Sequence, residues 1–302
     1  MTPDPLGRRA RGALDPAFVH DQIARFLAED VGGGDVTTSA VVPAGAAARG
    51  RIVAREACVV AGLDLARDVF AQLDARLVFS PLVTDGDVVP AGGTLVELAG
   101  PAAPMLTGER VALNVLQRLS GIATMTRRYV DAIAGTGVTV SDTRKTTPGL
   151  RLLEKYAVRA GGGRNHRTGL FDAVLVKDNH IVAAGGLDAA LDALARTRPG
   201  VPVQVEVDSL QQLERVVGRG VRAVLLDNMV PAVVAEAVRV VRAAPDGARC
   251  WIEASGGVTL ATVRAYAEAG VDTISVGALT HSAPAVDLAI DFDPVFSHAP
   301  TG

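Results

Sequence analysis

The second half of the chain contains a series of short apolar runs, each ending in polar residues or glycine, and this pattern limits the possible folds. The runs cover residues 138–142, 173–179, 203–208, 223–228, 251–257 and 272–277. Their ends lie 21 to 35 residues apart, and helical patterns separate the later runs. This spacing is typical of strand–helix units whose parallel strands are buried on both faces. It predicts an α/β fold, either a barrel or a doubly wound sheet.

In a barrel of such units, the carboxyl ends of the strands converge on one mouth, where the chemistry is placed. Those ends carry Lys177, Glu206, Asp227 and Ser255 in this chain. Six runs are fewer than the eight strands of a complete TIM barrel. We therefore expect the barrel to be incomplete, or to contain a strand that the pattern does not reveal.

Residues 15–100 have a mixed pattern that predicts a smaller α+β domain. The predicted strands are 51–60, 76–80 and 94–98, and the predicted helices begin at Pro16, cover 63–73 and cover 108–134. Val111, Leu116, Leu119 and Ile122 form the expected buried side of the long helix.

Lysine is rare in this chain, and its positions are informative. Of the 30 basic residues only Lys145, Lys155 and Lys177 are lysines. All three lie within residues 142–180, a segment with a net charge of +4 in a chain whose total is −3. Arginine cannot replace the compact, tunable ammonium group at a tight site, so each lysine is a candidate for a chemical role.

The same segment contains an expected anion-binding cluster, because arginine forks match carboxylates and several cations around one cavity imply a substrate with several negative charges. Its members are Arg144, Lys145, His166, Arg167 and Lys177. A solvated basic face is the simpler alternative. It is the weaker one, since Lys177 ends an apolar strand that should lie inside.

Two glycine-containing turns after the last strands are candidates for a phosphate site, since glycine lets backbone N–H groups approach an anion at the start of a helix. The turns consist of Ser255, Gly256 and Gly257, before a helix expected to begin near Thr259, and of Val276, Gly277 and Ala278, with His281 one turn later. Ordinary turn chemistry is the alternative.

Glu206 and Asp227 end neighbouring runs and would face that phosphate site. Two carboxylates there suggest a Mg²⁺ ion that is held largely through substrate oxygens, contacts to ribose hydroxyls, or stabilisation of a cationic sugar. Helix capping and salt bridges are the structural alternative.

Composition and charge argue against several other classes of protein. The net charge argues against a nucleic-acid-binding protein. No apolar stretch is long enough to span a membrane, and residues 1–16 do not resemble a secretory signal. Cys58 and Cys250 lack metal-ligand spacing and are expected to be buried thiols in a reducing cytoplasm.

From about Leu14 to Phe292 the sequence resembles the quinolinate phosphoribosyltransferase family, which belongs to the type II phosphoribosyltransferases. The resemblance rests on EDVGGGDVTT (29–38), ERVALNVLQRLSGIAT (109–124), DTRKTTPGLRLLEKYAVRAGGGRNHR (142–167), VKDNH (176–180), VEVDSL (205–210), LLDNM (225–229), EASGG (253–257) and SVGALTH (275–281).

This resemblance implies an N-terminal α/β sandwich with a mainly antiparallel, open-faced sheet, and a C-terminal open, incomplete α/β barrel of about seven strands. The implied divisions are a disordered tail over 1–13, the sandwich over 14–112 joined by a C-terminal strand within 286–296, and the catalytic barrel over 113–285. The implied reaction transfers phosphoribose from phosphoribosyl pyrophosphate to quinolinate, with Mg²⁺ and no organic cofactor, giving nicotinate mononucleotide, pyrophosphate and CO₂ for NAD synthesis.

The resemblance also implies residue roles. Arg144, His166, Arg167 and Lys177 would hold the quinolinate carboxylates, with Thr143 beside them. Lys145 and Lys177 would neutralise pyrophosphate, and Glu206 and Asp227 would face ribose and Mg²⁺. The 5′-phosphate would be bound by Ser255, Gly256, Gly257, Val276, Gly277, Ala278 and His281. Arg110 would reach the site of a neighbouring subunit in a homodimer or larger oligomer.

Three alternatives stay open: a phosphoribosyltransferase for another ring, a Schiff-base lyase that uses Lys177 as its nucleophile, and a phosphosugar-binding protein without catalysis.

Overall fold

The computed structural model describes residues 12–197 and 199–293, which divide into two compact units. The first, the N-terminal unit, comprises Gly12–Met125 together with residues 283–293. The second, the barrel unit, comprises Thr126–Ser282. Most of the expected tail over 1–13, and the end of the expected strand within 286–296, lie outside the described residues.

The N-terminal unit is built on a four-stranded antiparallel sheet. Its elements are α1 (Pro16–Val31), α2 (Val36–Val41), β1 (Ala47–Ala54), β2 (Cys58–Val59), α3 (Leu63–Leu73), β3 (Val78–Pro81), β4 (Val88–Val89), β5 (Thr94–Pro101), the first part of α4 (Ala102–Ala132), and β12 (Leu288–Phe292). The strand order is β12-β1-β5-β3, and β2 pairs with β4 in a separate ribbon. The expected mainly antiparallel sheet is confirmed.

Local chemistry explains the helix boundaries in this unit. The Asp15 side chain accepts a hydrogen bond from the Ala17 N–H at 2.8 Å, and Pro16 occupies the first turn of α1, where no N–H is needed. Helix α3 covers 63–73 as predicted.

Two predicted boundaries in this unit are wrong. The run 51–60 is interrupted by a turn and contributes to two strands, β1 and β2. Helix α4 begins at Ala102, six residues before the predicted start at 108. Pro104 is compatible with a first helical turn. At position 108 a Cβ atom would lie 2.8 Å from Leu73 Cδ1, so close packing favours glycine inside the helix. These two residues concealed the true start.

The barrel unit is a parallel sheet with helices between its strands. Its elements are β6 (Thr139–Ser141), α5 (Arg151–Ala160), β7 (Val174–Val176), α6 (Asp178–Ala183), α7 (Leu187–Thr197), β8 (Val203–Val207), α8 (Leu210–Gly218), β9 (Ala223–Asp227), α9 (Pro231–Ala243), a short 3₁₀ turn (Gly247–Arg249), β10 (Trp251–Ser255), α10 (Val263–Glu268), β11 (Thr273–Ser275) and α11 (Ala278–His281). Each strand falls within one of the six predicted runs.

The sheet order β6-β11-β10-β9-β8-β7 leaves β6 and β7 as its two edges, so the expected open barrel is confirmed. Six named strands are found where about seven were expected. Arg164 forms one isolated parallel bridge to Ser141, which adds only a single residue at the β6 edge.

The helices of the barrel unit cover the outside of the sheet through apolar stripes. In α8, the residues Leu213, Val216 and Val217 are buried, and the Ser209 side chain accepts from the Gln212 N–H. The carboxyl ends of the parallel strands consequently meet at one mouth. Within the described residues no helix combines the length and the apolar character that a membrane crossing requires.

Candidate active site

A cavity of about 520 Å³ opens at the carboxyl ends of the barrel strands. It brings together all fifteen candidate residues that belong to the barrel unit. They are Thr143, Arg144, Lys145, His166, Arg167, Lys177, Glu206, Asp227, Ser255, Gly256, Gly257, Val276, Gly277, Ala278 and His281. Residues that the sequence pattern scatters over more than a hundred positions therefore form a single site.

One wall of the cavity is the turn after β6. The Thr143 hydroxyl accepts a hydrogen bond from the Lys145 N–H at 3.0 Å, and the Lys145 carbonyl accepts from the Thr280 hydroxyl at 2.7 Å. A Cβ atom at Gly277 would lie 3.2 Å from Lys145 Cδ and 3.1 Å from His281 Nε2. Lys145 and His281 thus flank the Gly277 turn, which supports a common anion site.

Two arginines provide the cationic character of the neighbouring wall. Burial lowers the pKa of Arg167, and the positive charge of Arg144 lowers it further. The Arg144 Nε atom is buried and has no hydrogen-bond partner among the residues that the structure describes. The Arg144 side chain also lines the cavity, so its guanidinium can meet an anionic ligand there.

The loop that carries Arg167 is held by a buried network. Asp142 is fully buried and accepts hydrogen bonds from Lys155 Nζ at 2.5 Å, Asn165 Nδ2 at 2.6 Å and the His166 N–H at 2.8 Å. Lys155 Nζ also donates to the His166 carbonyl at 3.0 Å. Lys155 is therefore a structural residue behind the cavity wall, and its rarity did not indicate contact with a ligand.

Lys177 and Glu206 form an ion pair at the mouth. Lys177 follows β7 and precedes α6, where the His180 Nδ1 accepts from its backbone N–H at 3.0 Å. Burial raises the pKa of Glu206, the ion pair with Lys177 lowers it, and the negative charge of Asp227 raises it again, with a net increase. The two carboxylates are close enough to interact.

The turn after β9 connects Asp227 to the glycines after β10. Asn228 has a positive φ of 54°, its side chain donates to Asp227 at 2.7 Å, and its backbone N–H donates to the Ser255 carbonyl at 2.9 Å. Gly256 has φ +91°, and a Cβ atom there would lie 2.1 Å from Asn228 Oδ1. Only glycine fits this contact.

The helix expected to begin near Thr259 starts later, at Val263, so this prediction is wrong. The Thr262 hydroxyl accepts from the Thr259 N–H at 3.0 Å and closes a turn before α10. Gly256 and Gly257 are consequently separated from the helix by a turn. An anion bound at these glycines would meet loop N–H groups, because the start of α10 is not adjacent to them.

Sequence reasoning missed a polar layer beneath the mouth, formed by Gln204, Glu253 and Ser275 on three strands. All three are buried. Glu253 accepts from Gln204 Nε2 at 2.8 Å and from the Ser275 hydroxyl, and both Glu253 and Ser275 line the cavity. The polar alternation within VQVEV and WIEAS was the available signal, because residues two apart in a strand share a face.

Arg110 is the one candidate that this cavity does not include. It is exposed on α4, within the N-terminal unit. Metal ligands are also few: nowhere in residues 12–197 and 199–293 do three or more His, Cys, Asp or Glu side chains form a group suited to a metal ion. Glu206 and Asp227 could hold a cation only together with oxygens of a ligand.

The arrangement suits a ligand with several negative charges and a reaction centre that becomes positive. Arg144, Lys145, Arg167 and Lys177 supply the cations, and the loop turns supply further N–H donors. Glu206 and Asp227 place negative charge opposite them, where it can stabilise a developing cation.

Comparisons with known proteins identify the family of this chain. Residues 35–120 match the family model for the quinolinate phosphoribosyl transferase N-terminal domain, and residues 122–291 match the model for its C-terminal domain. A probable nicotinate-nucleotide pyrophosphorylase [carboxylating] from Synechocystis is 46% identical over 92% of this chain and 94% of its own length. The nicotinate-nucleotide pyrophosphorylase [carboxylating] of Mycobacterium leprae is 44% identical over 90% of this chain and 96% of its own length.

Among solved structures, NadC from Streptococcus pyogenes superposes with a TM-score of 0.87 at 40% identity, covering 93% of this chain and 98% of that one. Since both family models and relatives well above 30% identity match along nearly the whole chain, this protein belongs to the quinolinate phosphoribosyltransferase family.

Proposed function

We propose that this protein transfers the phosphoribosyl group of phosphoribosyl pyrophosphate to quinolinate and decarboxylates the adduct, giving nicotinate mononucleotide, pyrophosphate and CO₂ for NAD synthesis. The observation that carries the proposal is the convergence of four cations, two carboxylates and two glycine turns on one cavity. The relatives named carboxylating nicotinate-nucleotide pyrophosphorylases support the same reaction.

Quinolinate is the substrate that we assign to the arginine wall. Its two carboxylates match the two guanidinium groups of Arg144 and Arg167, which repel each other in the absence of an anion. Lys177 and His166 complete this part of the cavity. A monocarboxylate such as nicotinate would leave one arginine without a partner.

Phosphoribosyl pyrophosphate is assigned to the rest of the mouth. The loop donors of Gly256, Gly257 and Gly277, with His281, would hold the 5′-phosphate, and Lys145 and Lys177 would neutralise the pyrophosphate. Glu206 and Asp227 would then face the ribose. Departure of pyrophosphate leaves positive charge on the sugar C1, which these carboxylates stabilise electrostatically.

The two chemical steps need alignment more than acid–base catalysis. The ring nitrogen attacks C1 as the bond from C1 to the pyrophosphate oxygen breaks, and the enzyme's task is to hold the two atoms in line. The alkylated ring is cationic. It accepts the electron pair left when the adjacent carboxylate departs as CO₂, and a proton then takes the place of the lost carboxyl group. No organic cofactor is required.

Mg²⁺ is part of the proposal. Glu206 and Asp227 would hold it together with oxygens of phosphoribosyl pyrophosphate, because Mg²⁺ usually takes one or two carboxylates besides phosphate oxygens. Bound there, it would supply charge neutralisation for the leaving pyrophosphate.

We further propose a cytoplasmic homodimer, with the option of higher oligomers, in which Arg110 enters the cavity of the neighbouring subunit. The exposed position of Arg110 on α4 and its absence from the cavity of its own barrel unit support this assignment. The two free cysteines, both buried, are in keeping with a reducing compartment.

The alternatives are weaker on specific grounds. A Schiff-base lyase needs an unprotonated lysine as nucleophile, whereas Lys177 is ion-paired with Glu206. A binding protein without catalysis would not need two interacting carboxylates opposite the cations. A phosphoribosyltransferase for a different ring remains the alternative within the same chemistry.

The substrate assignment is tested by Arg167→Ala, with binding measured by calorimetry. We expect the affinity for quinolinate to fall by about 10- to 100-fold, the loss of one bidentate charged contact, and that for nicotinate to change much less. Equal losses for the two ligands would contradict the assignment of Arg167 to the second carboxylate.

A further inference from the structure

The buried Glu253 and the cavity residue His166 lie against each other beneath the candidate active site. Glu253 has no exposed surface, and its Oε1 lies 3.5 Å from His166 Nε2. The other carboxylate oxygen is bound by Gln204 Nε2 at 2.8 Å, and the Ser275 hydroxyl also donates to Glu253. The carboxylate is therefore held in place by groups on the two flanking sides of β10.

The opposite nitrogen of the same imidazole has a different neighbour. His166 Nδ1 accepts a hydrogen bond from the backbone N–H of Arg167 at 2.7 Å. Because a backbone N–H can only donate, Nδ1 must carry a lone pair. A neutral imidazole with a lone pair on Nδ1 has its proton on Nε2.

The contact with Glu253 selects the same tautomer. A carboxylate accepts hydrogen bonds, so it favours the Nε2 that carries a proton and disfavours one that carries a lone pair. A second proton on Nδ1 would face the Arg167 N–H and break that bond. Both ring contacts thus agree on neutral His166 with the proton on Nε2.

We infer that Glu253 is a positioning residue for the quinolinate site: it fixes the tautomer of His166, whose Nδ1 in turn anchors the backbone of Arg167. The inference rests on the proposed function for its ligand. The Arg167 guanidinium is further held by a bond from Nη1 to the Ala173 carbonyl at 3.1 Å. The backbone anchor and this contact together aim the side chain at the cavity.

In this arrangement His166 holds the Arg167 backbone in place and takes no part in the chemical steps. Because Nε2 faces Glu253 and Nδ1 accepts from the Arg167 N–H, we assign the imidazole to holding the loop and give it no proton-transfer step. It connects Glu253, inside the barrel, to the backbone of the loop that would bind the quinolinate carboxylate. Loss of the Glu253 charge should therefore weaken quinolinate binding and leave the glycine turns for the phosphate unaffected.

The variant Glu253→Gln removes the charge while it keeps the size. Its amide can present NH₂ to His166, which favours a lone pair on Nε2 and a proton on Nδ1. We expect the KM for quinolinate to rise by about 10-fold, the loss of one charge-assisted contact, and the KM for phosphoribosyl pyrophosphate to change by less than about 2-fold.

The tautomer is read directly by ¹⁵N NMR of protein labelled at its five histidines, with His166 assigned by its absence in His166→Gln. The wild type should show a protonated Nε2 and a lone pair on Nδ1 at neutral pH, and Glu253→Gln should lose that pattern. Ser275→Ala is the matched control, since it removes one bond to the same carboxylate, keeps its charge and should keep the tautomer.

Two results would overturn the inference: a wild-type His166 with its proton on Nδ1 or on both nitrogens, or an equal rise in KM for both substrates in Glu253→Gln. The wild-type spectrum decides even if the variant does not fold. A wild type that forms no product, yet shows the expected tautomer, would contradict the proposed function and leave the tautomer assignment intact.

Discussion

At the residue scale, the three lysines have three different environments. Lys155 is buried against Asp142, Lys177 is ion-paired with Glu206 at the mouth, and Lys145 is exposed beside the Gly277 turn. Burial lowers the pKa of Lys155 and raises that of Asp142, while their mutual attraction opposes both shifts. Breaking such a pair leaves an unpaired buried charge, and this cost separates Lys155 from the other two.

This difference predicts opposite effects of two matched substitutions. Lys155→Met should lower the free energy of unfolding by about 3–5 kcal/mol, as for other broken buried ion pairs. Lys145→Met should change stability by less than about 0.5 kcal/mol and abolish most of the activity. Urea denaturation and turnover assays measure the two effects. Similar stability in both variants would contradict the structural role of Lys155.

Protonation of Glu206 should produce the acid limb in the pH profile of kcat/KM. Its net raised pKa means that it gains a proton above pH 4.5, the ordinary value for glutamate. Since the ionised form stabilises the cationic sugar, kcat/KM should fall as the pH decreases through that raised pKa. The profile is measured from pH about 4 to 8 with a parallel check of folding. An acid limb at or below pH 4.5 would show that Glu206 is not the titrating group.

At the scale of secondary-structure elements, the turn after β10 is the most constrained part of the mouth. Gly256 packs against Asn228, whereas no atom lies within 4 Å of a Cβ atom placed at Gly257. Both residues have positive φ, so alanine is strained at each. Gly256 has φ +91° and Gly257 has φ +61°, and only a Cβ atom at Gly256 would collide with Asn228.

Gly256→Ala should therefore be the more damaging of the two changes. It would displace Asn228 and with it the Asp227 carboxylate, and we expect the KM for phosphoribosyl pyrophosphate to rise by at least about 10-fold. Gly257→Ala should raise it less, since strain alone costs about 1 kcal/mol. Steady-state kinetics of the two variants compare them. A larger effect in Gly257→Ala would contradict the packing argument.

The strands were predictable from the sequence, and several boundaries were not. Each barrel strand is an apolar run with a polar end, a pattern that periodicity alone reveals. The start of α4 was concealed by Pro104 and Gly108, and the start of α10 by the turn that Thr259 and Thr262 close. Such boundaries depend on packing and on side-chain hydrogen bonds, which periodicity does not register.

The site was predictable where its residues end strands and not where they lie inside the barrel. Glu206 and Asp227 stand out as charges close to the carboxyl ends of β8 and β9. Glu253 is a charge inside an apolar run, and its role depends on contacts with Gln204 and Ser275 from other strands. Ser275 lies 22 positions from Glu253 in the sequence, and Gln204 lies 49 positions from it. Contacts over such separations cannot be read from local sequence.

At the scale of the whole molecule, the proposed dimer predicts that two inactive variants regain activity when their subunits are mixed. Arg110→Ala and Lys145→Met should each be nearly inactive alone. If Arg110 serves the neighbouring cavity, a mixed dimer contains one site with neither change. Random mixing in equal amounts should restore about a quarter of the wild-type activity, since half of the dimers are mixed and each has one intact site.

The mixture is made by unfolding and refolding the two variants together, and its activity is compared with that of the variants refolded separately. Restored activity in the mixture alone is the expected result. A mixture no more active than its components would contradict the assignment of Arg110 to the partner's cavity.

The proposed reaction can be followed through the carboxylate that it releases. The protein is incubated with phosphoribosyl pyrophosphate, Mg²⁺ and quinolinate labelled with ¹³C in the carboxylate next to the ring nitrogen. We expect labelled CO₂ and unlabelled nicotinate mononucleotide in equal amounts, and none of either with nicotinate in place of quinolinate. Absence of the nucleotide, or label retained in it, would contradict the proposed reaction.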